Sequence, residues 1–172
     1  VLYSKKFTAV DGSDPDSDRL TQMNWLAAQL AEAAAMKEKV YIAMHIPPGM
    51  DAYSNKPMWD KGKTSWVNMF LSLTTQYQGN ISGILYGHTH MDEVRRLYDS
   101  TGKQVTEVAV CCPGVTPQHM NNPGFKTVTY DKDSKELLDF TTYYTQPSFS
   151  YWGNACYRFD SVYSAKKDET IY

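Results

Sequence analysis

Three of the four histidines in this 172-residue chain stand directly after short apolar segments. His88 and His90 form a His-x-His pair in the sequence Gly-His-Thr-His, 87–90, and His45 opens the sequence His-Ile-Pro-Pro-Gly, 45–49. Imidazole is a common metal ligand near neutral pH. The carboxyl ends of parallel strands are where open α/β sheets place their ligand sites. These three residues are therefore candidate metal ligands at one edge of a sheet.

The spacing of the pair leaves several geometries open. In a strand, His88 and His90 would point to the same side, whereas in a turn they would diverge, and either geometry reaches one ion or two neighbouring ions. With His45 they could also complete a mononuclear zinc site that has water as its fourth ligand. Asp92 and Glu93 follow the pair; they either accept hydrogen bonds that orient the imidazoles or are simply solvated.

The segments that precede the histidines have the pattern of alternating helices and buried strands. Apolar residues at steps of three and four predict a helix over 19–37, and a short apolar run predicts a strand over 40–44. A long loop over 50–63 follows, then a second helix from Thr64 or Ser65 to Gln78 and a second strand over 81–86. This order is typical of a parallel sheet in an α/β fold.

The remainder of the chain has a different pattern. Strand-like segments occur over 105–111, 125–130 and 137–144, and the turn at 131–134 joins the last two, which predicts an antiparallel meander. Residues 146–172 are rich in aromatic side chains and irregular, with a short helix predicted near 160–165. We therefore predict a main domain over 1–145 and an irregular, aromatic-rich extension over 146–172. His119 lies in a loop without a partner motif, so we expect it at the surface or at the edge of a pocket.

Composition excludes some classes of function. The chain is 42% hydrophobic and 21% charged, with a formal net charge of −2, which gives no electrostatic basis for binding nucleic acid. No apolar run approaches the roughly 20 residues of a transmembrane segment. The sequence that begins at Val1 resembles an internal stretch of a protein rather than the start of one, so we expect a fragment of a longer chain. Cys111 or Cys112 could pair with Cys156, or all three could remain free thiols.

Together these motifs resemble the calcineurin-like metallophosphoesterase superfamily and, within it, the acid sphingomyelinase-like phosphodiesterases. The resemblance spans roughly residues 1–145, and the segments that carry it are 22–26, 45–49, 87–93, 116–117, 122–125, 130–131 and 137–139. It implies a four-layer α/β/β/α sandwich with two divalent metal ions between the sheets. This chain would supply βαβ-type units followed by the antiparallel meander.

The resemblance also implies roles for the histidines. His45 and His88 would bind one metal ion and His90 the other, with zinc expected and iron or manganese as alternatives. The family's Asp-x-His, Gly-Asp and Gly-Asn-His motifs, which supply the bridging carboxylate and the general acid, do not occur in this sequence. We therefore expect the C-terminal portion of an enzyme that has no catalytic acid or base of its own. Alone, this portion is expected to be nearly inactive, to bind metal weakly, and to self-associate or pair with the missing N-terminal portion.

The implied activity is metal-assisted hydrolysis of a phosphodiester or phosphoanhydride, either a sphingomyelin-like lipid headgroup or a nucleotide. Tyr53 and Asn122 are candidate substrate-binding residues, and Trp59 is a further loop aromatic that could contact substrate or be an ordinary exposed residue. The alternative is a non-catalytic interaction module that holds at most one weakly bound metal ion. Family resemblance also implies export, so we expect an extracytoplasmic location.

Overall fold

A computed structural model of the chain describes residues 1–7, 16–59, 65–146 and 155–158. Two α-helices and seven strands are present in these ranges. The helices are α1, Asp16–Met36, and α2, Trp66–Gln76; the strands are β1, Val40–Ala43, β2, Ile81–Tyr86, β3, Val94–Tyr98, β4, Val105–Cys111, β5, Gly124–Tyr130, β6, Leu137–Tyr144, and β7, Ala155–Arg158. Short 3-10 turns cover Ser4–Phe7 and Gln118–Met120.

The first sheet has the strand order β1-β2-β4-β3. Strands β1 and β2 are parallel, as the sequence predicts. Strand β4 was predicted to belong to the antiparallel meander, and this is wrong, because β4 pairs in parallel with β2 in the first sheet. Strand β3 is antiparallel to β4 at the edge. The sequence did not predict β3, because its central residues are Arg95 and Arg96 and only Leu97 is buried. Charged side chains on a short outer strand are a common protection against pairing with other molecules.

The second sheet is the antiparallel meander β5-β6-β7. The turn between β5 and β6 is fixed by the Asp131 carboxylate, which accepts hydrogen bonds from the backbone N–H groups of Asp133 and Ser134. Strand β7 continues the meander beyond residue 146, so four residues of the predicted irregular extension are regular. The predicted helix near 160–165 lies outside the described residues.

The two helices and the second sheet cover opposite faces of the first sheet. Along β4, Ala109 and Cys111 belong to the core that includes α1 and α2, whereas Val108 and Val110 pack against Phe140 of β6. The second sheet approaches closely at Gly83, where an added Cβ would lie 2.6 Å from Leu137 Cδ1. The described residues thus form a mixed α/β structure in the order helices, sheet, sheet, and the fourth layer stays a prediction.

Local sequence explains where the helices begin. Asp16 and Asp18 lie in the first turn of α1, where carboxylates interact favourably with the helix dipole, and the helix starts three residues before the predicted position. Ser65 caps α2, because its hydroxyl accepts a hydrogen bond from the Asn68 N–H at 3.3 Å. Each helix is followed by a parallel strand, and a histidine lies just beyond the end of each of these strands.

Candidate functional site

The parallel pairing of β1 with β2 brings His45 and His88 together. Beyond the last paired strand residues, the Gly87 N–H donates to the His45 carbonyl oxygen at 3.1 Å. The two imidazole rings then meet edge to face, with centroids 5.2 Å apart and an interplanar angle of 79°. Gly87 borders the His45 ring, since a Cβ added there would lie 3.5 Å from His45 Nδ1, an ordinary contact distance. Two imidazoles from different strands are thus neighbours, as the sequence predicts.

His88 and His90 occupy a turn, and their side chains diverge. Strand β2 ends at Tyr86, and both histidines adopt left-handed backbone conformations, with φ of 76° and 56°. Such conformations are costly for residues with a Cβ and require support from their surroundings. Thr89 provides it, because its side chain is buried and its hydroxyl lies 3.4 Å from the Cys111 sulfur. Of the two geometries left open by the sequence, the turn is the one present.

His90 faces a different set of residues from His88. An added Cβ on Gly114 would lie 2.8 Å from His90 Nδ1, so the ring packs directly on the chain there. This nitrogen is buried and has no hydrogen-bond partner among the residues that the structure describes. The His119 ring lies 5.9 Å away, and Tyr53 packs against His119 with centroids 4.9 Å apart. His119 is exposed, as predicted, but its contact with His90 could not be inferred from any motif.

The predicted substrate-binding residues, Tyr53 and Asn122, have different surroundings. The Tyr53 hydroxyl donates to the Thr89 carbonyl oxygen at 3.2 Å and accepts from the Asn121 amide, so this hydroxyl is engaged within the chain. Asn122 lines a cavity of about 360 Å³ together with His90, and the other lining residues are Met91, Asp92, Pro113, Asn121, Thr142 and Tyr144. Asn122 therefore lines the same cavity as His90, and Tyr53 does not.

Trp59 is not a loop aromatic that is free to contact substrate. Its side chain is 0% exposed, its ring packs on Phe7 at 4.7 Å, and its indole N–H donates to the Ile46 carbonyl oxygen at 3.0 Å. Both readings that the sequence left open for Trp59, a substrate contact and an exposed aromatic, are therefore wrong. Its position in a long polar loop gave no sign of burial, because the partner Phe7 lies far away in the sequence.

Comparison with known proteins identifies relatives of the chain. No family model matches the chain. The chain is 34% identical over 150 residues to "Sphingomyelinase phosphodiesterase D" of Dictyostelium discoideum, covering 84% of this chain and 33% of that protein. It is 35% identical over 152 residues to "Cyclic GMP-AMP phosphodiesterase SMPDL3A" of Bos taurus and 30% identical over 153 residues to "Acid sphingomyelinase-like phosphodiesterase 3b" of Mus musculus, covering 84% of this chain and 32% of each relative.

The chain is a homologue of the acid sphingomyelinase-like phosphodiesterases. The resemblance inferred from the histidine motifs is therefore confirmed. The chain spans about a third of the length of the curated relatives it matches. Among the helices that the structure describes, none has the combination of length and apolar character that crossing a bilayer requires.

The electrostatics of this acid sphingomyelinase-like site favour neutral imidazole at His88. Partial burial lowers the pKa of His88, and the neighbouring His45 lowers it further, against an opposing effect of the Asp51 carboxylate. A lowered pKa keeps the ring uncharged near neutral pH, which is the form that binds metal ions. His88 therefore has the protonation state of a metal ligand.

The histidines fit a metal ion as a partial set of ligands. Within residues 1–7, 16–59, 65–146 and 155–158, no group of three or more His, Cys, Asp or Glu side chains converges closely enough to hold an ion. The predicted alternative of a complete three-histidine zinc site is therefore not formed by these residues. His45 and His88 are adjacent nitrogen donors, and His90 adds a separate one, a donor set that suits zinc, iron or manganese.

The two carboxylates after the histidine pair are engaged with cations. Glu93 accepts hydrogen bonds from the Tyr86 hydroxyl and from Arg95 Nε, both at 2.7 Å. Asp92 forms an ion pair with Lys126 of β5, whose side chain is only 4% exposed. The sequence did not predict either contact, because Arg95 lies on β3 and Lys126 on β5, whereas the histidines follow β1 and β2. Glu93 and Asp92 fix the turn to its surroundings, which neither of the two sequence-based readings described.

The cysteines near the site are thiols. Cys111 is buried and Cys112 is exposed, and both are free. Burial raises the pKa of the Cys111 thiol to about 11, so it remains protonated and acts as a small apolar group beneath Thr89.

Proposed function

We propose that the protein containing this chain is a metal-dependent phosphodiesterase. The observation that carries the proposal is the meeting of His45 and His88 at adjacent strand ends, in a chain homologous to phosphodiesterases. The relatives' names give the substrate classes to consider, a sphingomyelin-type lipid headgroup and a nucleotide phosphodiester. Both contain a phosphate group linked to two oxygens, so one kind of site serves either substrate.

The proposed cofactors are two divalent metal ions, zinc first and iron or manganese as alternatives. His45 and His88 would hold one ion and His90 the other, since the His45 and His88 rings contact each other whereas the His90 ring contacts His119. When bound, such ions polarise a phosphoryl oxygen and make water a stronger nucleophile. The lowered pKa of His88 favours the neutral imidazole that binds a metal ion.

Residues around His90 would receive the substrate. The cavity of about 360 Å³ places the Asn122 side chain beside His90, where an amide N–H group can donate to a phosphate oxygen. Tyr53 would contribute its ring face, because its hydroxyl is engaged by Thr89 and Asn121. Ring faces suit either a nucleobase or the quaternary ammonium of a choline headgroup.

The 172-residue chain alone is proposed to be nearly inactive, since no complete metal-binding group is formed by its described residues. Its proposed partners are the remaining portion of the protein or a second copy, together with the substrate. An extracytoplasmic location completes the proposal and rests on family resemblance.

The proposal is tested by assaying the full-length protein with bis(4-nitrophenyl) phosphate, sphingomyelin and cyclic GMP-AMP, in the presence of zinc. His88→Ala is expected to lower turnover by at least about 100-fold, because loss of a ligand exceeds the usual effect of losing a ligand's supporting partner. Lys132→Ala, in an exposed turn, is the control and is expected to leave turnover unchanged. Equal turnover of His88→Ala and the unmodified protein would contradict the proposal.

A non-catalytic interaction module is the second candidate. The observation that favours it is the incomplete set of metal ligands among the described residues. The same assay separates the two, because a module without activity gives no turnover of any of the three substrates by the full-length protein at any zinc concentration.

A further inference from the structure

The loop that carries His45 is held at successive backbone groups. The Ile46 N–H donates to the Ser4 hydroxyl at 2.7 Å, and the Ile46 carbonyl oxygen accepts from the Trp59 indole at 3.0 Å. The Gly49 carbonyl oxygen accepts from the Met58 N–H at 2.8 Å. The two prolines between them, both buried, have no N–H to donate, so this stretch is held through its carbonyl groups.

Arg95 supplies the contact at the second of these prolines. Its Nη1 donates to the Pro48 carbonyl oxygen at 2.9 Å, across from β3 to the loop after β1. Its Nε donates to Glu93 Oε1 at 2.7 Å and to the Tyr86 hydroxyl at 3.1 Å. The Tyr86 hydroxyl in turn donates to Glu93, so the guanidinium belongs to a closed hydrogen-bonded triad. The triad orients Arg95 from β2 and from the turn that contains His88 and His90.

The backbone of the loop is shaped to accept this guanidinium. Gly49 adopts a φ of +106°, which residues with a Cβ rarely adopt, and a Cβ there would lie 3.0 Å from Arg95 Nη1. Glycine at this position therefore serves both the backbone turn and the close approach of the guanidinium.

We propose that Arg95 is a positioning residue that holds His45 against His88. The proposal deepens the proposed function, because it concerns the same pair of metal ligands, but its geometric part is independent of whether a metal binds. Arg95 links three segments: the loop after His45 through Pro48, the end of β2 through Tyr86, and the turn after His90 through Glu93. Loss of this link removes the connection of Pro48 to β3 and leaves the backbone hydrogen bond from Gly87 to His45 as a weaker constraint on the two rings.

The chemistry of the link requires an arginine. A guanidinium presents several N–H donors in a rigid plane, so one side chain can serve a carbonyl, a hydroxyl and a carboxylate together. The ammonium of a lysine is a compact point charge without that planar arrangement, so Arg95→Lys is expected to restore only part of the effect. The chain offers a matched control in Arg96, which is exposed and whose guanidinium lies over the Tyr98 ring, 5.8 Å from its centroid.

The test uses the full-length protein, prepared free of metal and labelled in its histidine rings. The nuclear Overhauser cross-peak between the His45 and His88 rings, assigned with His45→Gln and His88→Gln, reports their contact directly. We expect Arg95→Met to abolish this cross-peak and Arg96→Met to preserve it. With zinc added, Arg95→Met is expected to weaken zinc binding by about 10–100-fold, the usual effect of losing a ligand's supporting partner. Unfolding temperatures measured in parallel show whether each variant is folded.

Each outcome decides the proposal. If Arg95→Met lowers the unfolding temperature but keeps the cross-peak, Arg95 has only a general structural role and the proposal is wrong. If Arg96→Met abolishes the cross-peak as well, the effect is not specific and the proposal is also wrong. If Arg95→Met does not fold, Tyr86→Phe, which removes only one hydroxyl of the triad, decides the matter: a weakened cross-peak supports the proposal and an unchanged one overturns it. Absence of zinc binding in the unmodified protein would contradict the proposed function and leave the cross-peak result standing.

Discussion

His45 and His88 end different parallel strands, yet their rings meet with centroids 5.2 Å apart. The last paired residues of the two strands are Ala43 and Leu85, so His88 lies one residue further beyond its strand than His45 does. Gly87 lies between the end of β2 and His88, and a Cβ added there would lie at an ordinary contact distance of 3.5 Å from His45 Nδ1. The register of the sheet and the turn that follows β2 therefore decide which histidines are neighbours.

This pairing predicts which substitutions remove the same metal ion. In the full-length protein, His45→Ala and His88→Ala are each expected to lower zinc content by the same amount, and the double variant by no more than either one. The measurement is elemental analysis after incubation with zinc and dialysis. His119→Ala is the control, because His119 contacts His90 but belongs to neither strand-end motif. Additive losses in the double variant would show that the two rings serve different ions.

The close packing of Gly114 against His90 leads to a prediction about how the His90 ring is kept in place. An alanine Cβ there would lie 2.8 Å from His90 Nδ1 and 2.9 Å from its Cγ, closer than such contacts allow. We expect Gly114→Ala to displace the His90 ring and to lower the free energy of unfolding by about 1–3 kcal/mol, the usual cost of overpacking. Ring resonances of His90 and urea unfolding measure the two effects.

The control for this variant is Gly79→Ala, because nothing lies within 4 Å of a Cβ added at Gly79. It is expected to leave the His90 resonances in place. Unchanged His90 resonances in Gly114→Ala would mean that the backbone around Gly114, and not the imidazole, moves to accommodate the new methyl group.

The ion pair of Asp92 with Lys126 joins the two sheets beside His90. The Lys126 ammonium also donates to the Thr142 hydroxyl at 2.8 Å and lies 4.2 Å from the centre of the Phe140 ring. Removing one member of a shielded ion pair is costly, so Lys126→Met is expected to lower the free energy of unfolding by about 2–4 kcal/mol. Urea unfolding at neutral pH is the measurement.

Lys132→Met provides the matched comparison. The pair of Lys132 with Asp133 is 83% and 80% exposed, and exposed pairs contribute little, so a change below about 0.5 kcal/mol is expected. Equal effects of the two substitutions would show that the inter-sheet pair contributes no more than a solvated one.

The sequence predicted the parts of the fold that depend on local patterns of apolar and polar residues. Strand β2 and strand β4 have the predicted bounds, because each is a short apolar run between polar turns, and the two helices show steps of three and four. Strand β3 was missed, since two arginines interrupt its apolar pattern. The placement of the three motif histidines at strand ends followed from the same reasoning.

Contacts between distant segments could not be predicted in this way. Trp59 is buried because Phe7 packs on it, and the Tyr53 ring contacts that of His119 although the two residues lie far apart in the sequence. No periodicity within either segment encodes such a contact. The same is true of Arg95, which contacts the Pro48 carbonyl oxygen in the loop after β1. This contact depends on the backbone conformation of Gly49.

The burial of Glu107 leads to a prediction about how the stability of the fold depends on pH. It lies on β4 opposite Leu97, its side chain is 1% exposed, and its Oε2 has no hydrogen-bond partner among the described residues. Burial raises the pKa of this carboxyl from about 4.5 to about 8. Between these values the folded protein keeps the proton and the unfolded chain releases it. The stabilising contribution is therefore complete below pH 4.5 and is lost progressively as the pH rises to about 8.

Glu107→Gln removes this titration without changing the shape of the side chain. Each unit of raised pKa corresponds to about 1.4 kcal/mol, so the variant is expected to be more stable than the unmodified chain at pH 8 and to show a flatter pH dependence. Urea unfolding at pH 5 and pH 8 measures both, with Glu32→Gln, at an exposed position on α1, as the control. Parallel pH dependence in the Glu107→Gln variant and the unmodified chain would show that the carboxyl finds solvent or a partner when folded. The gain is expected only above pH 4.5, where the unfolded carboxyl is ionised and the folded carboxyl either keeps its proton or ionises against the cost of burial.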